Sequence, residues 1–289
     1  MKERFTDWNP RGDTLTKVKV CNAIVKEYQA QGLRLTLRQL YYQFVSRDLL
    51  PNTERSYKNL GTILGKARMA GLIDWDAIED RGRSPDKPNE FNNIEHLVDV
   101  ALRSYRLPRW EGQDQYVELW VEKAALAGVL EPMASRYHVT LMVNKGYSSL
   151  SAMYESAQRI LDSDKDATIL YLGDHDPSGE DMVRDIRDRL DTFLRGHGTL
   201  EVEKIALTMD QIEQYNPPPN PTKLTDSRAR DYIHRYGHEC WEVDALEPSV
   251  LQQLIGDALE ARVDMDLMNE VIDREDEDKE RLREAAKAL

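Results

Sequence analysis

Three short apolar runs constrain this chain more than any other feature. They are YVELWV (116–121), VTLMV (139–143) and TILYLG (168–173), each rich in β-branched and aromatic residues. A helical stretch of roughly 12 residues or more follows each run. That alternation predicts βαβ units and a parallel sheet, so the second half is expected to be an α/β domain. In such sheets chemistry collects beyond the carboxyl ends of the strands. The residues found there are Glu122-Lys123, NKGYSS and GDHDPSGED.

The first hundred residues have a different texture. TLTKVKVCNAIVKEYQA predicts a helix from Leu15 to Ala30, with Val18, Cys21, Val25 and Tyr28 inward at spacings of three and four. A second helix starts at Thr36 with a capping-box spacing to Gln39 and ends at Pro51. A third runs from Thr53 to Ala70 and stops at Gly71. The stretch LIDWDAIEDRGRSP then alternates loosely. Three helices and a short extended excursion resemble a winged helix, whose last helix enters the major groove. Arg55, Lys58, Lys66 and Arg68 lie on that third helix as DNA-contact candidates. The bland alternative is a small helical bundle whose lysines face water. The expected division is a helical DNA-binding part over 1–110 and an α/β part over 111–289.

Charge supports that division. The net of −13 argues against a nucleic-acid partner when taken whole. Residues 1–110 nevertheless carry 19 Lys and Arg against 14 Asp and Glu, a net of +5, leaving −18 on the remainder. Only the N-terminal part has the sign to meet a phosphate backbone. The end of the chain, VIDREDEDKERLREAAKAL, is expected to be a solvated helix or frayed tail. Cys21 and Cys240 show no metal or disulfide spacing, and His138, His197, His234 and His238 form no ligand pattern. No run approaches eighteen apolar residues and the start lacks the apolar core of a signal peptide, so a cytosolic protein without a membrane is expected. The loop NPPPNPTKLTDSRARDYIHR offers Lys223, Arg228 and Arg230 to DNA.

Two stretches carry candidate chemistry. In an extended segment Asp174 and Asp176 point to the same side while His175 points away, so the two carboxylates can converge on a cation. Glu122, at the end of an earlier strand, joins them. Oxygen-only ligands favour Mg²⁺, with Mn²⁺ able to substitute. Alternatively, Asp-Pro-Ser-Gly is simply a turn with an N-cap. In the second helix Leu37, Leu40, Tyr41, Phe44 and Val45 form one apolar stripe. Tyr42 lies about 100° further round, one turn from Arg38, so it is expected outside the core as a phenol displayed beside a guanidinium.

VEK after one strand, KGY after the next and DHDPSG after the third resemble the Toprim fold of the topoisomerase VI A subunit and the related meiotic double-strand-break transesterase. RQLYY, preceding it in a winged-helix-like domain, resembles that family's catalytic tyrosine segment. Order and spacing agree over about residues 15–200, and the chain is most similar to the compact, stand-alone mini-A proteins. The resemblance implies that Tyr42 attacks a DNA phosphodiester to form a 5′-phosphotyrosyl bond and that Arg38 contacts the scissile phosphate. It also implies that Glu122, Asp174 and Asp176 hold Mg²⁺, with Lys123 and Lys145 near the phosphates. The implied partners are double-stranded DNA, a second copy in a homodimer whose tyrosine faces the carboxylates of the other protomer, and a separate ATPase not encoded in this chain. Two other readings stand beside this one: a Toprim nuclease that hydrolyses DNA with metal-activated water, and a non-catalytic DNA-binding dimer.

Overall fold

The computed structural model describes residues 2–78, 89–144 and 149–287. Three helices open the chain: α1 (Gly12–Gln29), α2 (Leu37–Ser46) and α3 (Glu54–Met69). Their inward stripes form one core, with Val18, Cys21, Val25 and Tyr28 from α1, Leu40, Tyr41 and Phe44 from α2, and Leu60, Ile63 and Ala67 from α3. The ends follow their local chemistry. Thr36 and Gln39 form the reciprocal capping box at α2, satisfying two otherwise orphaned amides. Thr53 caps α3, which gives way to Gly71 at φ +70°, a left-handed position that glycine adopts without steric penalty. After α3 come a 3-10 turn at Trp75–Ala77 and a bridge between Leu35 and Ile78. Half of the expected extended excursion, residues 79–85, lies outside the described residues.

Next come α4 (Ile94–Ser104), β1 (Gln115–Val121), α5 (Ala127–Tyr137), β2 (Thr140–Val143), α6 (Leu150–Ser163), β3 (Asp166–Leu172), α7 (Pro177–Leu194) and β4 (Leu200–Ala206). The four strands form one parallel sheet in the order β2-β1-β3-β4. The molecule is therefore an α/β protein, with N-terminal helices followed by a parallel sheet and interleaved helices. Alternation along the strands separates two faces. Val117, Leu119, Val121, Leu170 and Leu172 pack with α5 and, further along, with Leu251 and Ile255. Trp120, Ile169 and Tyr171 pack on the opposite face with Met153 and Ala157 of α6 and Met182 and Ile186 of α7. The chain leaves β1 to one side for β2 and returns to its other side for β3. The strand order thus reverses between β1 and β3, a switch point where the strand ends open a crevice.

The remaining elements are α8 (Met209–Tyr215), β5 (Asn220–Pro221), α9 (Ala229–Tyr236), β6 (Glu239–Cys240), α10 (Pro248–Glu260) and α11 (Met265–Ala286). β5 and β6 form a short antiparallel ribbon, and His175 bridges to Trp241 beside it. The acidic end of the chain is more than a solvated helix or tail: α11 packs against α4. Its Glu275 is fully buried, accepting from Arg109 Nη2 at 2.9 Å, Lys279 Nζ at 2.6 Å and the Leu107 amide at 3.1 Å. Among the described residues, no helix is long and apolar enough to cross a membrane.

Candidate active site between the second helix and the strand ends

The two tyrosines of α2 do not divide into core and surface as the helical wheel predicts. Tyr41 is 4% exposed and Tyr42 3%. Tyr41 belongs to the helical core, and its hydroxyl accepts from the Thr53 amide at 2.8 Å. Tyr42 is covered from the other side by a part of the chain that a single-helix projection does not contain. Asn220 donates to its oxygen at 3.5 Å, and the Arg38 guanidinium lies 6.0 Å from its ring centroid. Burial, with Glu242 and Asp244 nearby, pushes the phenol pKa well above its usual value, while Asn220 and Arg38 pull the other way.

Arg38 leads from Tyr42 to the sheet. Its Nη2 donates to Glu242, and its Nε forms an ion pair with Asp244 Oδ2 at 3.1 Å that lacks hydrogen-bond alignment. Lys123, just beyond β1, places its Nζ 2.7 Å from Glu242, 3.0 Å from Asp244 and 2.9 Å from Asp174. The Val243 amide donates to Asp174 Oδ1 at 2.9 Å. One short segment, Glu242-Val243-Asp244, thus ties together the arginine beside the tyrosine, the lysine after β1 and the carboxylate after β3. These contacts connect Tyr42's helix, through Arg38 and Lys123, with Asp174 at the end of β3.

The electrostatics follow from burial and crowding. Burial opposes the charge on Lys123, but Asp244, Asp174 and Glu242 outweigh it and hold the ammonium protonated; Asp244 and Glu242 do the same for Arg38. Burial pushes Asp174 up to about 7, against Lys123 and with the help of Glu122 and Asp244. Asp244, wholly buried, is also raised by burial, whereas for Glu242 the two cations outweigh burial and lower its pKa.

The expected metal ligands are placed as follows. Glu122 Oε2 accepts from the Asp174 amide at 3.2 Å and from the Tyr171 hydroxyl at 3.3 Å, which brings Glu122 and Asp174 together. Asp176 caps α7, its Oδ1 accepting from the Gly179 amide at 2.7 Å. Gly179 is required in that turn because a Cβ there would run into the Asp174 carbonyl. His175 is buried and paired through Nδ1 with the Tyr232 hydroxyl at 2.7 Å. Among the described residues, no group of three or more His, Cys, Asp or Glu side chains is arranged to hold a metal ion. The donor chemistry nevertheless fits a hard cation. Every donor that Glu122, Asp174 and Asp176 offer is an oxygen, the ligand type a hard cation takes.

Of the expected DNA contacts, Arg55, Lys58 and Lys66 are exposed on α3, and Lys58 pairs with Glu54 at 2.7 Å. Arg68 is instead committed to Trp75, stacking 4.5 Å above its ring and donating to its carbonyl at 3.1 Å. Lys145 lies outside the described residues. No protein-family model and no curated protein matches this chain. The site therefore rests on its own geometry.

Sequence reading missed Glu242, Asp244 and Asn220. A signal for the first two was present: in WEVDAL two carboxylates stand two residues apart, the same spacing as Asp174 and Asp176, although here the chain turns through a 3-10 helix at Val243–Ala245. Asn220 sits in a proline-rich loop and carried no signal.

Proposed function

We propose that the chain is a DNA-cleaving transesterase of the topoisomerase VI A type, built from a winged-helix-like N-terminal part and a Toprim-like sheet. In the reaction the Tyr42 oxygen attacks a phosphodiester. The new bond joins that oxygen to phosphorus, the bond from phosphorus to the 3′-oxygen breaks, and the 3′-oxygen leaves with a proton. One phosphodiester replaces another, so the break can be resealed. The observation that carries this reading is the chain of contacts from Tyr42 through Arg38 and Glu242 to Lys123 and Asp174.

Ionising an ordinary phenol at pH 7 costs about 4 kcal/mol. The burial of Tyr42 adds to that demand, so the positive charge around it matters. Arg38, beside the ring, suits the role of stabilising both the phenolate and the charge that grows on the phosphate. Lys123, at the strand end, would stabilise charge on the phosphate. Glu122 and Asp174, with Asp176 at the start of α7, would hold Mg²⁺, which supplies Lewis-acid stabilisation of the phosphoryl oxygens. A C₂ homodimer provides the two nucleophiles that a double-strand break needs. A separate ATPase partner would supply any gated strand passage.

One observation favours the alternative of a water-using nuclease: Tyr42 is nearly inaccessible and its phenol is hard to ionise. Incubating the protein with supercoiled DNA and Mg²⁺ and then denaturing with detergent separates the two. The transesterase leaves protein attached to DNA ends, and Tyr42→Phe abolishes the attachment while Tyr41→Phe does not. A nuclease leaves ends free of protein, and Tyr42→Phe cuts as well as the parent.

A further inference from the structure

A cleft of about 450 Å³ opens over Tyr42, walled by α2, the start of α3 and the loop that carries Asn220 and Lys223. Its size is at the lower end of small-molecule sites, roughly 300–1,000 Å³, which suits one nucleotide unit better than a base pair. We propose that this cleft seats a single nucleotide of the cleaved strand, its base against the Tyr57 ring and its two phosphates between Lys58 and Lys223. The proposal rests on the reading of the site as a DNA-cleaving centre and specifies how the strand is held there.

Each part of the cleft matches one part of a nucleotide. Tyr57 is half-buried and braced edge-on by Tyr41, with ring centroids 5.4 Å apart and planes at 74°. Tyr41 is itself fixed through its hydroxyl to the 51–53 turn. An aromatic ring held in this way is a stacking platform that accepts any base, because every base has a π-face. Asn52 and Asn220 form the polar wall, with Asn52 Nδ2 donating to Asn220 Oδ1 at 2.9 Å. That contact also positions the amide that reaches Tyr42. Lys58 and Lys223 are both exposed at the cleft. The Lys58–Glu54 pair is largely solvent-exposed, and pairs of that kind contribute little, so a phosphate can take the ammonium over. The other carboxylate of the cleft, Glu242, is engaged by Arg38 and Lys123. It does not present an uncompensated charge to the strand.

Thymidine 3′,5′-bisphosphate, one nucleotide with both flanking phosphates, is the direct probe, titrated calorimetrically into the full chain without metal. The expected result is saturable binding that Tyr57→Ala weakens about tenfold and Tyr57→Phe leaves within about twofold. Tyr57→Leu keeps apolar volume against Tyr41 but has no π-face; it should behave like Tyr57→Ala while melting like the parent. Lys58→Gln combined with Lys223→Gln should weaken binding further and flatten its salt dependence. Binding indifferent to Tyr57→Leu, no binding by the parent, or equal competition by inorganic pyrophosphate would overturn the proposal. The outcome is separable from that of the cleavage chemistry. Covalent DNA capture with Tyr57-independent binding refutes the nucleotide seat alone, whereas Tyr57-dependent binding without capture refutes the transesterase and leaves the seat standing.

Discussion

At Tyr42 burial and the carboxylates of Glu242 and Asp244 keep the phenol protonated, while Arg38 and Asn220 oppose them. Removing the donor should slow the chemical step at that oxygen: Asn220→Ala is expected to slow covalent capture about tenfold in a single-turnover assay at saturating DNA. A second expectation concerns Gly179, where any Cβ meets the Asp174 carbonyl. Gly179→Ala should destabilise the protein by about 2–4 kcal/mol in urea denaturation, while Gly65→Ala on α3, which has open space, should not. The helical wheel identified Tyr41 as a core residue correctly and misplaced Tyr42. A wheel registers only what the helix itself turns inward. The residues that bury Tyr42 lie some 180–200 positions further along the chain, and no local pattern announces their arrival.

Among the elements, the three helices and the first three strands were legible because their periodicities are strong and their caps explicit. β4 was not, since LEVEKIA mixes Glu201, Glu203 and Lys204 into an edge strand that has only one neighbour to satisfy. The acidic end of the chain was read as a solvated helix or frayed tail; it is a helix, α11, and one buried carboxylate, Glu275, ties it to the rest of the molecule. Although burial opposes its charge, hydrogen bonds from Arg109, Lys279 and the Leu107 amide dominate and hold Glu275 down to about 2. A depressed carboxylate contributes stability that is present above its unfolded value, 4.5, and lost as pH falls toward about 2. The full contribution is roughly 3 kcal/mol. Glu275→Gln should therefore lower stability at pH 7 by an amount of that order. The gap between the two proteins should close progressively between pH 4.5 and 2, as followed by denaturant melts. A gap that does not change with pH would show that the ion pairs contribute nothing. The Glu242-Val243-Asp244 segment makes the corresponding case for the site. Arg38→Ala leaves Asp244 buried with Lys123 as its remaining cation, so it should lose both capture and about 2–4 kcal/mol of stability.

For the whole molecule, the uneven charge of the chain sets the DNA-binding expectation. The basic excess lies before residue 110, and exposed Arg55, Lys58 and Lys66 share α3 beside the cleft over Tyr42. Duplex affinity should fall linearly with the logarithm of salt concentration, and Lys58→Gln and Lys66→Gln should each reduce that slope by about one. Arg68→Gln should leave the slope unchanged, because that guanidinium is spent on Trp75. The central claim is that one identified oxygen becomes bonded to DNA. Its most direct measurement is mass spectrometry of the protein after incubation with duplex DNA and Mg²⁺, detergent denaturation, and digestion with nuclease and trypsin. Cleavage after Arg38 and Arg47 releases QLYYQFVSR, residues 39–47. The account predicts a nucleotide phosphate adduct on this peptide, with fragmentation placing it on Tyr42. Cleaved DNA with an unmodified peptide, or an adduct on Tyr41, would contradict it.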